Sequence, residues 1–252
     1  MTHFPDPFSE HSEMHDTQIN RRDFCRTACV AAAGVAGGLT TLSGLADAQS
    51  RGLSPDQALA RLRTGNTDFL AGKTRVSAGD GKRRLELAST QAPFAVLVGC
   101  SDSRVPPEVL FGAGLGELFI VRNAGNTVDT VALGSVEYGT LVLGAPLVVV
   151  LGHERCGAVK AAIEVVEHNT SFPGSIGKMI EPIIPAVLKA RTGHSGSKEA
   201  LLDAAVRENV RRIVRRLRTG EPSFVKPLRD GALKIVGAHY DLDDGRVIFL
   251  DG

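Results

Sequence analysis

Two short stretches carry residue types that can do chemistry. One is Cys100-Ser101-Asp102-Ser103-Arg104, and the other is His153-Glu154-Arg155-Cys156-Gly157. Two thiolates and an imidazole suit zinc, a borderline-soft ion that takes sulfur and nitrogen donors. Three protein ligands leave one tetrahedral position open, the pattern of a catalytic rather than a structural zinc site. Asp102 can fill that position or accept a hydrogen bond beside it. Arg104, two residues on, can hold Asp102 as a bidentate pair. Cys156 is expected in the first turn of a helix, where the N-terminal dipole favours a thiolate. Each residue alone has a plainer reading: inert buried thiols, a disulfide, a core histidine, a structural ion pair. Their joint placement at the ends of two strands favours the site.

Those strands are legible as short continuous apolar runs, the mark of strands buried on both faces. Such runs fall at residues 94–99, 118–121, 147–151 and 233–238. A further strand, 247–250, follows the turn Asp243-Asp244-Gly245 and reads as an edge strand. Helical patterns lie between, at 107–111, 130–143, 158–167, 177–189 and 198–218. The last has an apolar face through Leu201, Ala205, Val206, Val210, Ile213, Val214 and Leu217, opposite a solvated arginine face. Strands alternating with helices predict an α/β fold with a mostly parallel central sheet flanked by helices. Residues 54–72 open with Ser54-Pro55, a helix-start pair, and form an N-terminal helix; 73–90 read as a polar linker or surface arm. In open α/β sheets, sites form at the carboxyl ends of the strands. Cys100, Asp102, Arg104, His153 and Cys156 all fall there.

The chain has 252 residues, 43% hydrophobic and 23% charged, with a formal net charge of +1. That excludes a disordered chain and a multi-span membrane protein, and gives no electrostatic case for nucleic acid. There is no Trp and only two Tyr, so platforms for stacking bases or sugars are few. Residues 1–48 read as an export signal. Asn20-Arg21-Arg22-Asp23-Phe24 precedes an uncharged stretch, 27–45, that holds four Gly and three Thr. Ala46-Asp47-Ala48 closes it as a cleavage signature. The arginine pair resembles a twin-arginine address, implying the twin-arginine export machinery as a partner and a periplasmic or secreted product. Cys25 and Cys29 leave with the signal. Residues 49–252 form the zinc domain, with no stable membrane span after processing.

The runs C-S-D-S-R-V-P-P-E, R-N-A-G-N and H-E-R-C-G-A together resemble the β-class carbonic anhydrases, over about Leu59 to Leu250. The resemblance implies one zinc ion per chain, held by Cys100, His153 and Cys156, with Asp102–Arg104 as the catalytic dyad. In part of the family Asp102 is itself a ligand in a closed, low-pH state. Gln91, Phe119, Tyr138 and the backbone N–H of Gly157 match substrate-pocket positions, with Phe119 supplied by a partner subunit. Ala124 departs from the larger aliphatic residue frequent there. The inhibitory bicarbonate pocket of some members uses a Trp where this chain has Leu97, so that version is not expected. The family fold includes an N-terminal helical arm that embraces a neighbour, which residues 54–72 fit, and assembles as homodimers or tetramers. The implied reaction is reversible hydration of carbon dioxide to bicarbonate and a proton. Zinc lowers the pKa of coordinated water from ~15.7 to about 7, which makes hydroxide available at neutral pH. The alternatives are hydrolysis of carbonyl sulfide or carbon disulfide on the same scaffold, and a non-catalytic zinc domain. His168 is expected at the surface rather than as a proton shuttle. Gly112-Ala-Gly-Leu-Gly116 is read as a turn rather than a nucleotide loop.

Overall fold

A computed structural model describes residues 52–73 and 81–250. The export signal expected at residues 1–48 lies outside the described residues. Five strands form one sheet: β1 (Ala95–Cys100), β2 (Leu118–Asn123), β3 (Leu147–His153), β4 (Lys234–Tyr240) and β5 (Val247–Leu250). Their spatial order is β2-β1-β3-β4-β5, parallel throughout except for the antiparallel β5. The chain leaves β1 in one direction to build β2, then crosses to the other side for β3. The strand order therefore reverses between β1 and β3, and a crevice opens at their carboxyl ends. Cys100 ends β1 and His153 ends β3.

Both faces of the sheet are covered. Ala95, Leu97, Leu147, Val149, Leu151 and Val236 share one core with Ala58 and Leu62 of helix α1 (Pro55–Leu70). The alternate residues Val96, Val98, Val148, Val150 and Ile235 share the other with Val210, Val214 and Leu217. That explains why the strand sequences are apolar without alternation. Ser54 caps α1, accepting from the Gln57 N–H while Gln57 returns a bond to the Ser54 backbone. Asn66 then ties α1 down: its amide donates to the carbonyls of Leu110 and Gly245, and its oxygen accepts from the Val247 N–H. One face of this N-terminal helix, through Ala58, Leu62 and Asn66, is thus docked on its own sheet, and the rest of it stays open. The exposed piece is helix α2 (Gly81–Leu87), none of whose residues is buried.

The remaining helices are α3 (Pro107–Leu110), α4 (Thr130–Glu137), α5 (Gly157–His168), α6 (Ser175–Ile180), α7 (Ile184–Arg191), α8 (Lys198–Thr219) and α9 (Pro222–Arg229). Two expected helices are broken. The 130–143 pattern is α4 followed by a widened turn, Tyr138–Val142, in which Gly139 lies close to β1 and β2. A Cβ on Gly139 would come within 2.6 Å of Val96 Cγ2, so only glycine permits this approach. The 177–189 pattern splits around Glu181–Ile183, where Pro182 can donate no helical hydrogen bond. Among the described residues, no helix is long and apolar enough to cross a membrane.

Candidate metal centre

Cys100, His153 and Cys156 converge in the crevice, all buried, with their ligand atoms within 4.8 Å of one another. Cys156 is the N-cap of α5 rather than a residue of its first turn. The Arg155 backbone, at φ 52°, turns the chain sharply enough to bring the thiol back toward His153. Both thiols are free, so the disulfide alternative is not realised.

The donor set fits a soft divalent cation. Nδ1 of His153 lies 2.9 Å from the Glu154 carbonyl, which accepts a hydrogen bond from it. The lone pair of Nε2 then faces the sulfurs, and this buried atom has no hydrogen-bond partner. The Cys156 thiol beside it, with help from His153 and the Gly125 N–H, pulls Cys100 down to about 4 against its burial. The same contact and burial push Cys156 strongly up. One thiolate thus suppresses the other. A cation between them relieves that opposition and takes up the orphaned imidazole lone pair.

Asp102 sits at the rim. Arg104 grips it through Nε at 2.9 Å, Nη2 at 2.7 Å and its own backbone N–H at 3.0 Å. These bonds hold the carboxyl well below the usual carboxylate range. Asp102 Oδ2 lies 3.8 Å from His153 Nε2, close to the cluster but turned to Arg104. Arg122, in β2, donates to the carbonyls of Cys100 at 2.7 Å and Asp102 at 2.7 Å, fixing the loop that carries the dyad. Sequence reasoning did not single out Arg122, although it opens the R-N-A-G-N run.

The family model described as carbonic anhydrase matches residues 95–247. Carbonic anhydrase 2 of Mycobacterium tuberculosis is 38% identical over 198 residues, covering 79% of this chain and 94% of that protein. The carbonic anhydrase of Pseudomonas aeruginosa is 40% identical over 172 residues, covering 66% and 77%. Among solved structures, the β-carbonic anhydrase CcaA superposes with a TM-score of 0.62 at 28% identity, covering 77% of this chain and 88% of that one. The chain belongs to the β-carbonic anhydrase family. Its activity is the reversible hydration of carbon dioxide, and neither sulfide hydrolysis nor a non-catalytic role is favoured.

In this carbonic anhydrase the residues expected to line the pocket do not all gather beside the Cys-His-Cys cluster. Phe119 pairs with Val96, four residues short of the Cys100–Asn123 pair. At ~3.3 Å per residue that is about 13 Å from the metal ligands. Tyr138 lies with Phe119, ring centroids 6.0 Å apart, and is 46% exposed. Gln91 precedes β1, at the opposite end of the strand from Cys100, in a hollow with Arg84, Leu87 and Leu115. Gly157 does reach the site: it opens α5 directly after Cys156, where helical N–H groups are free to bind a ligand. Ala124 stands in the short turn Ala124–Asn126 beside the cluster. Leu97 is buried in the core. His168 closes α5 at the surface, 3.8 Å from Glu164 and away from the cluster.

Proposed function

We propose that Cys100, His153 and Cys156 hold one zinc ion per chain and that Asp102 and Arg104 orient the reactants beside it. The observation that carries this reading is the buried Cys-His-Cys group with an unpartnered imidazole nitrogen. Zinc, when bound, supplies Lewis acidity and a nucleophilic oxygen near neutral pH. Asp102, fixed from three directions by Arg104, accepts a hydrogen bond from the reacting hydroxyl and sets its direction. Its low pKa makes it an acceptor rather than a proton store at neutral pH. The Gly157 N–H, at the start of α5, donates to a substrate oxygen as charge develops there. A closed state with Asp102 on the metal requires it to give up the Arg104 bonds. Cys100→Ser or Cys156→Ser is expected to lose zinc and stopped-flow hydration activity together. Full zinc occupancy in either variant would refute the ligand set.

The pocket side chains are supplied by a second copy in this reading. Val131, Tyr138, Leu141 and Val142 leave an exposed apolar face on α4 and its following turn, next to the edge strand β2. Phe119 and Tyr138 belong to that same face. A two-fold pairing across it is reciprocal and carries each chain's pocket residues toward the other's crevice. Residues 1–48 are proposed as a twin-arginine export signal that delivers the folded enzyme to the periplasm. Folding before export keeps Cys100 and Cys156 reduced until they are bound as thiolates. Arg21→Lys with Arg22→Lys should leave zinc-loaded, active precursor in the cytoplasm. Unchanged export of that variant would overturn this part of the reading.

A further inference from the structure

Helix α8 buries Leu201, Ala205, Val206, Val210, Ile213, Val214 and Leu217, and one polar side chain among them, Asn209. Asn209 is 1% exposed. An amide in such a place costs free energy unless it is bonded, and asparagine is a poor helix former besides. Its Nδ2 donates to the Gly125 carbonyl at 3.0 Å. Gly125 in turn donates its N–H to Sγ of Cys100 at 3.3 Å. A single residue therefore links the middle of α8 to a sulfur of the metal centre.

The link falls where the backbone most needs an external tie. Gly125 adopts φ 79°, and a Cβ there would come within 2.5 Å of Ile183 Cδ1 and 3.1 Å of Ala158 Cβ. Only glycine fits, and glycine has the widest choice of other conformations. The ends of the turn are tied separately, by the Asn123 amide donating to the Thr127 carbonyl at 2.7 Å. That bond touches neither polar group of Gly125. The Asn209 amide does, from a helix whose neighbouring residues Val206 and Val210 pack directly on Gly152, just before His153.

We propose that Asn209 is a positioning residue of the metal centre: by holding the Gly125 carbonyl it aims the Gly125 N–H at the Cys100 sulfur. The proposal rests on the reading of Cys100 as a metal ligand. The hydrogen bond draws electron density from the thiolate and restrains where the sulfur sits. Outer partners of this kind are commonly worth 10- to 100-fold in metal affinity.

The test compares Asn209→Leu, which keeps the branched shape and removes the donor, with Leu217→Ala, which loosens the same helix away from the metal centre and leaves the donor. Both are purified as full chains, stripped of metal and loaded with Co2+. Thiolate-to-cobalt charge-transfer bands and the rate of zinc loss to a chelator are measured, with thermal stability as the common reference. The expected result is a charge-transfer band moved to lower energy and about tenfold or faster zinc loss in Asn209→Leu. Leu217→Ala should show neither at a comparable loss of stability. If Asn209→Leu does not fold, Asn209→Ser, one bond too short to reach Gly125, serves the same comparison. A band and a zinc-loss rate unmoved from wild type, or moved equally in Leu217→Ala, would overturn the positioning role. A wild-type protein with no thiolate-to-cobalt band would instead overturn the ligand reading beneath it.

Discussion

A mixture of two disabled chains should recover activity that neither has alone. The distance of about 13 Å between the Phe119 register and Cys100 is too long for a side chain to cross within its own strand pair. In the proposed pairing each crevice takes its pocket from a neighbour. One parent carries Cys156→Ser and lacks a metal site. The other carries Gln91→Ala with Phe119→Ala and has an intact metal site but a defective pocket. In a mixed dimer, the metal ligands of the second chain meet the intact pocket residues of the first, so one of the two sites is complete. Random pairing at equal amounts makes half the dimers mixed, and about a quarter of all sites are then whole. Co-refolded protein should show about a quarter of wild-type stopped-flow hydration activity, well above the mean of the parents. If the pocket were built within one chain, no site in the mixed dimer would be complete. Activity that stays at the mean of the parents would refute the shared site.

Asp102→Asn is expected to keep zinc while hydration falls by roughly 100-fold or more, because the amide loses the charge that Arg104 aligns; wild-type turnover would make the dyad purely structural. His239, buried under α8, has Nε2 3.1 Å from Asp203 Oδ1 without hydrogen-bond alignment, and its Nδ1 has no partner. Burial, then the Arg207 guanidinium, hold it down to about 4, so between pH 6.5 and 4 the unfolded chain binds more protons and stability falls as pH falls. That loss should total about 3 kcal/mol and should be absent from His239→Leu in matched urea titrations; an imidazole titrating near 6.5 by NMR would contradict it.

The sheet was legible because strands covered on both faces must be apolar at every position, and helices that pack on them must show a stripe. What lacked a buried face was not legible. Helix α2 buries no residue and left no apolar period, so its stretch read as a linker. Helix α9 buries only Phe224 and begins and continues with prolines, which mask its pattern. The metal ligands were legible because their chemistry is rare and each sits where a strand must end. Asn209 left a fainter trace, one polar residue on an otherwise apolar stripe. Its role needs the Gly125 turn, 84 residues away, to be seen beside it.

Gln91, Phe119 and Tyr138 were reachable only through the family resemblance, and the topology explains why. The ligands end β1 and β3, internal strands whose positions are fixed by pairing on both sides. The pocket residues lie on or beside β2, the edge strand, and before β1. An edge strand with an exposed apolar flank is a liability in an isolated chain, and a second copy is the way to cover it. Metal binding needs rigidity and takes the interior of the sheet. A small apolar substrate needs a water-excluding wall, and in the proposed pairing a neighbour closes it. In the proposed pairing the metal-binding group lies within one chain and the pocket comes from another, so zinc content and activity should part company in any variant that abolishes pairing and leaves the fold intact.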